Sequence, residues 1–286
     1  MKLKMPEGKV IITAALNGAF VTKDMNPNVP EQPEEIAQAA LECYNAGASI
    51  VHIHARDENG KPTGTKEKFE EIMAAVRSKC KEIIIQFSTG GGANLTIEER
   101  VRCLEALPEM ASLNMGTLMR QTGPYAGTPF SNLTKDIEAW AAKMKELDIK
   151  PEMECYSQAM FQEVENLIAK DLVKPPYYVN FVLGMRYQGA IPATPHTLWS
   201  MYEFLPDNCY FNCTAVAAAQ LPITTMAMIM GGAIRVGLED NIYYSRGVLA
   251  KSNAQLVERS VRIARELNLE PTTPDEARQI LGVVKR

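Results

Sequence analysis

Histidine is nearly absent from this chain: three in 286 residues, at 52, 54 and 196. Its six cysteines, at 43, 80, 103, 155, 209 and 213, form no CxxC pair and keep no regular spacing. That excludes a cysteine-ligated cluster or structural zinc, and without a secretion signal it points to reduced thiols in a cytoplasmic protein. No apolar run approaches the ~20 residues of a membrane span, and the one in MKLKMPEGKVIITAAL is too short for a signal peptide. An excess of one charge is missing as well. The 30 basic and 34 acidic residues are well mixed, with a net charge of −4 and no basic block. Neither a nucleic-acid partner nor a membrane partner is expected.

What is present is alternation. Short β-branched runs at 9–15, 49–55, 82–88, 110–115, 150–156, 177–183, 209–216 and 233–239 are separated by amphipathic runs. These lie at 33–46, 66–79, 96–106, 132–147, 157–170, 194–205, 221–230, 252–267 and 274–281. Several open with good caps, such as Thr96 ahead of Glu98 and Glu99. Strands alternating with helices imply an α/β fold with a parallel sheet, and eight such units close into a (β/α)8 TIM barrel. An open doubly wound sheet would announce a Gly-rich turn after its first strand, and AALNGAFVT is not one. With no linker in sight, residues 1–286 read as a single domain, and about 251–286 as its C-terminal helical extension.

Barrels of this kind carry their chemistry at the C-terminal ends of the strands. Those ends bring together Asn17, His52, His54, Ser88, Asn114, Glu154, Asn180, Thr214, Arg235, Glu239 and Asp240, at one rim of an otherwise apolar sheet. His52 and His54 lie two apart on one strand and so point to one face. Imidazoles placed that way can share a divalent ion such as zinc, or can simply be rim histidines bonded to carboxylates. Strands eight and two both flank strand one, so Glu239 falls near the pair; Asp57 and Glu154 compete as third ligand. The Ser88-Thr89-Gly90-Gly91-Gly92 turn offers hydroxyls and backbone N–H groups to an anion. Arg235 beside Asp240 reads as a proton-abstracting pair, and His196 as a surface or capping residue.

Together the motifs GASIVHIHARD, QFSTGGG, PEMASLNMGT, MGGAIRVGLEDN and TPDEARQIL, in order along nearly the whole chain, resemble the β-keto acid cleavage enzymes. The resemblance implies a zinc-dependent barrel, one Zn2+ per subunit, assembling as a homotetramer. Its reaction would be β-keto acid + acetyl-CoA → acetoacetate + a new acyl-CoA, by Claisen and retro-Claisen exchange. Carried across motif by motif, the zinc ligands fall on His52, His54 and Glu239, and the catalytic pair on Arg235 and Asp240. Ser88 and Thr117 become catalytic hydrogen-bond donors. Thr89, Gly90, Gly91, Phe20 and Glu154 join Ser88 and Thr117 as substrate-binding residues. Coenzyme A phosphates would meet Arg120 or Arg186 on the rim.

Two departures stand out. Members that take an aminated keto acid carry a glutamate in the loop after strand one, within GAEVT. Here that loop reads Gly18-Ala19-Phe20-Val21-Thr22, so an uncharged keto acid side chain is expected. A GVG stretch after strand seven is replaced by Ala217-Ala218-Ala219. Competing readings are a metal-dependent aldolase acting without coenzyme A, and a non-catalytic metabolite-binding barrel. An amidohydrolase would need further strand histidines, and His196 is not on a strand.

Overall fold

The structure is a computed structural model and describes every residue except 124. Among the described residues, eight parallel strands close into a barrel in chain order. They are β1 (Ile12–Ala15), β2 (Ile50–Ile53), β3 (Ile84–Phe87), β4 (Met110–Asn114), β5 (Lys150–Cys155), β6 (Tyr177–Leu183), β7 (Cys209–Ala215) and β8 (Ala233–Val236). Helices α1 (Pro33–Ala46), α2 (Lys66–Lys79), α3 (Ile97–Val101), α4 (Thr134–Glu146), α5 (Phe161–Ala169), α6 (Pro195–Phe204), α7 (Gln220–Ile229) and α8 (Asn253–Glu266) ring the barrel outside. Packed between α7 and α1, α8 completes that ring. Only α9 (Pro274–Leu281) of the expected C-terminal extension therefore lies outside it.

Each strand is buried on both faces, and the faces differ. Ile12, Ala14, Val51, Ile53, Ile85 and Phe87 pack outward into the main apolar core beneath the helices. Their alternates Ile11, Ile50, Ile84, Met110 and Tyr178 form a second apolar cluster at the floor of the lumen, sealed by Ala277 and Leu281 of α9. One residue pair further along, the lumen turns polar: Thr13, His52, Gln86, Ser112, Glu152, Asn180, Asn212 and Arg235 are all buried. The polar set thus reaches below the rim expected from the sequence.

Three elements depart from expectation. The first run splits, because Lys9–Val10 pairs in parallel with Glu270–Pro271 rather than with the barrel. The expected 96–106 helix is one short α-helix followed by a 3-10 turn over Arg102–Ala106. Strand β8 stops at Val236, since Gly237 takes φ +142° with its α-carbon pressed onto β1; an added Cβ would sit 2.1 Å from the Ala15 carbonyl oxygen. Only glycine fits such a conformation and approach, and the turn it opens delivers Glu239 and Asp240.

Candidate active site

Strand β2 and the residue just past its end put His52 and His54 on one face, and the turn after β8 brings Glu239 across β1 to meet them. The Nε2 atoms of the two histidines stand 3.4 Å apart. Glu239 places Oε1 3.4 Å from His54 Nε2 and Oε2 3.7 Å from His52 Nε2. Tetrahedral bonds of 2.0–2.1 Å put ligand atoms about 3.3 Å apart, so the trio matches the spacing of a zinc site. The Glu239 Oε2 atom is buried with no hydrogen-bond partner, an orphaned acceptor aimed where an ion would sit. His52 Nδ1 lies 2.7 Å from Gln86 Oε1. Because that oxygen only accepts, Nδ1 carries the proton and Nε2 presents its lone pair. Burial drives the His52 pKa down to about 3, which keeps the ring neutral, as ligation needs.

Next to the trio lies the buried Arg235. Its Nε and Nη2 grip both oxygens of Asp240 at 2.9 and 3.0 Å, Nη2 reaches Glu239 Oε1 at 2.6 Å, and Nη1 reaches Glu154 Oε1 at 3.3 Å. Three carboxylates around one guanidinium leave acid in excess. Burial pushes Glu154 up to about 8, with Arg235 pulling the other way. Asp240 is raised to about 6 by burial, again opposed by Arg235. Burial would also raise Glu239, but Arg235 and the flanking imidazoles hold it well below the usual carboxylate range.

A family model described as beta-keto acid cleavage enzyme matches residues 9–283. The chain belongs to the β-keto acid cleavage enzyme family. It is an enzyme of that kind. The 3-keto-5-aminohexanoate cleavage enzyme of Acetoanaerobium sticklandii is 42% identical over 278 residues, covering 97% of this chain and 99% of its own length. The 3-dehydrocarnitine:acetyl-CoA trimethylamine transferase of Rhizobium meliloti is 30% identical over 299 residues, covering 97% of this chain and 98% of its own. A solved complex of ObcA with oxaloacetate superposes with a TM-score of 0.71 at 17% identity, over 90% of this chain and 68% of that one. That last likeness speaks for the fold.

A small chamber of about 50 Å³ opens above His52 and His54. Ser88, Gly90, Gly91, Phe20, Glu154, Arg235 and Glu239 line it. Ser88 Oγ accepts the Gly90 N–H at 3.0 Å, leaving its own hydrogen free to turn inward. Two expected substrate contacts are displaced. Thr117 is exposed outside the chamber lining, where its oxygen accepts the Asn132 N–H. Thr89 is fully buried, and its hydroxyl donates to the Ser112 carbonyl at 2.8 Å, pinning the loop to β4. Asp57 drops out as a ligand because its Oδ1 accepts the backbone N–H groups of Asn59 and Lys61 in a turn. Glu154 is turned to Arg235 instead of the imidazoles. Arg186 and His196 are exposed, the latter at the start of α6.

Residues given no role from sequence complete the lining. Asn114 lines the chamber and accepts the Tyr156 O–H at 3.0 Å, while its buried Nδ2 has no partner. Gln86 is not in the lining; it sits within an apolar run, and its register opposite His52 is what brings it to that imidazole.

Proposed function

We propose that this protein is a zinc-dependent β-keto acid cleavage enzyme. It converts a β-keto acid with an uncharged side chain, together with acetyl-CoA, into acetoacetate and a new acyl-CoA. The observation that carries this reading is the His52–His54–Glu239 trio at tetrahedral spacing, one residue from the Arg235-held carboxylate of Asp240. Zinc held by the trio would supply Lewis-acid polarisation of the substrate ketone.

Asp240, aligned by two hydrogen bonds from Arg235, removes a proton from the carbon between ketone and carboxylate. The electron pair moves onto the ketone oxygen, toward which Ser88 and Asn114 direct an O–H and an N–H. The carbanion carbon then bonds to the acetyl carbonyl carbon, and the thiolate leaves. Return of that thiolate to the original ketone carbon breaks the older carbon–carbon bond, and the carbanion so freed takes back the proton held by Asp240, releasing acetoacetate with the acyl thioester. Two acids line the chamber, Glu154 and Glu239, and both are engaged by Arg235. Phe20, Phe130, Val182 and Met185 supply apolar wall, which supports an uncharged substrate side chain. The Acetoanaerobium sticklandii relative, by its name, takes an aminated keto acid, so the distinction is a sharp one.

We read the whole chain as one catalytic domain working in the cytoplasm. We read the assembly as a homotetramer; exposed Trp199 and Phe204 on α6 and Ile229 on the adjoining α7 support self-association. Steady-state assays of β-keto acids with acetyl-CoA, run beside metal analysis, test the reading. Exchange with apolar keto acids by a protein holding one zinc per chain is expected. Preference for the 5-amino compound would overturn the side-chain assignment, and turnover without acetyl-CoA the reaction itself.

A further inference from the structure

Three residues of the chamber lining hold a buried polar atom with no hydrogen-bond partner among the described residues: Glu239, Asn114 and Gln188. The proposed reaction uses the first two, one at the ion position and the other at the ketone oxygen. Gln188 has no part in it. That residue is 5% exposed, and its orphaned atom is Oε1, the acceptor of the carboxamide. A buried amide oxygen left unanswered is costly and uncommon in a native fold, so it calls for a ligand.

The turn that carries Gln188 is firmly built. Strand β6 ends at Leu183, and Arg186–Gln188 form a 3-10 turn just beyond it. The Gln188 N–H donates to the Met185 carbonyl at 3.0 Å, and the Gly189 N–H to the Arg186 carbonyl at 3.1 Å. Between them the Tyr187 carbonyl accepts the Gln121 N–H at 2.6 Å, which ties the turn to the loop after β4. In the closed ring β6 stands four strands from β2 in either direction. Gln188 and the two histidines therefore belong to opposite walls of the chamber. Its companions in the lining from the same strand and turn, Val182 and Met185, are apolar.

A β-keto acid bears its carboxylate on one side of the ketone carbon and its variable side chain on the other. With the ketone oxygen at the histidine wall, beside Ser88 and Asn114, the side chain extends toward the wall of Val182, Met185 and Gln188. Resting on the proposed reaction, we infer that Gln188 is a specificity-determining residue, selecting a keto acid whose uncharged side chain carries a hydroxyl. The substrate O–H donates to Gln188 Oε1. A hydroxyl both donates and accepts, so it can answer the amide oxygen and the amide N–H groups alike. An alkyl side chain would cover that oxygen with methylenes and leave its bond unmade. The penalty of the unpaired group falls on the deoxy acid alone, which is how a polar site rejects an apolar analogue.

The test compares kcat/KM for acetyl-CoA-dependent exchange of 3-oxohexanoate with that of its 4-hydroxy and 5-hydroxy derivatives, on the purified full chain. Wild type should prefer one hydroxylated acid by about ten- to a hundredfold, the range set by an unpaired buried group. Gln188→Met keeps the length of the side chain and removes the amide. It should lose that factor on the hydroxylated acid and leave 3-oxohexanoate unchanged. Wild type decides the matter even if the variant misfolds, because 3-oxohexanoate used as well as both hydroxylated acids overturns the inference. So does an equal loss on all three acids in folded Gln188→Met, the mark of a structural role, and so does a preference that survives the substitution. Calorimetric titration of the same acids without acetyl-CoA sets this inference apart from the reaction. Tighter binding of a hydroxylated acid, lost in Gln188→Met, would uphold Gln188 even if wild type catalysed no exchange and the reaction fell. Exchange with no hydroxyl preference removes Gln188 alone.

Discussion

His52 and Asp240 lie within one buried cluster yet serve separable purposes. His52→Ala takes away an imidazole whose tautomer Gln86 has set, so metal and turnover should vanish together. Asp240→Asn preserves the shape beside Arg235 and touches none of the trio. It should keep its metal by elemental analysis while kcat falls about 10²–10⁴-fold, the usual worth of a positioned base. Full activity in Asp240→Asn would remove the base from this scheme. The neighbouring Gly18 tests the trio from another side. At φ +62° an added Cβ would meet Glu239 Cγ at 2.6 Å, near the root of that side chain rather than its free end. Gly18→Ala should therefore lower zinc affinity, measured by competition with a chromogenic chelator. The two histidines and the acids were legible because their types are rare or costly inside a strand. Asn114 was placed at the rim but its unpartnered amide was not legible, since nothing in NMGT tells which polar side chain turns inward.

The loops after β7 and β8 carry more of the site than their strands do. Val236 ends β8 where the sequence pattern runs on to Glu239, because hydrophobicity continues through Leu238 while the backbone has already turned at Gly237. The helix expected over 96–106 fails for a related reason. Its apolar spacing holds, but Arg100 is drawn inward to the Thr89 carbonyl and Asn132, and the chain tightens into a 3-10 turn. After β7, Ala217 adopts φ +57° and donates its N–H to the Asp240 carbonyl at 2.7 Å. A left-handed alanine costs roughly 1–2 kcal/mol. Ala217→Gly should accordingly stabilise the fold by about 1 kcal/mol in urea titration, and an unchanged midpoint would show that strain relaxed elsewhere. At the opposite end of the barrel, α9 is locked down by Arg278, whose Nη2 contacts both oxygens of the buried Glu109 at 2.9 and 3.0 Å. Arg278→Ala leaves that carboxylate underground with Arg77 at 3.5 Å and the Arg286 backbone N–H at 3.2 Å. A loss of about 3–5 kcal/mol is expected, with the chamber and its metal untouched.

At the scale of the molecule, the eightfold order could be read from the chain because each strand is a compact β-branched run between amphipathic helices. The polar lumen could not. Its members alternate with apolar neighbours that satisfy the outer core, and only closure of the ring sets Glu152 against Asn180 and Asn212 and Arg235 opposite Thr13. Closure also concentrates charge. Glu152, Glu154, Glu239 and Asp240 all face one arginine, and burial raises the pKa of three of them. A divalent cation between His52, His54 and Glu239 would neutralise that excess, so its binding must be linked to folding of the barrel as a whole. A ligand held only by the native state stabilises it by RT ln(1 + [L]/Kd), about 4 kcal/mol at a thousandfold excess over Kd. Chelation should therefore lower the melting temperature of wild type, and added zinc should restore it in proportion to the logarithm of its concentration. His52→Ala should melt at one temperature in both conditions. If wild type were equally indifferent to chelator and to zinc, the carboxylates would have to be relieved by protons alone, and the trio would lose its claim to a metal.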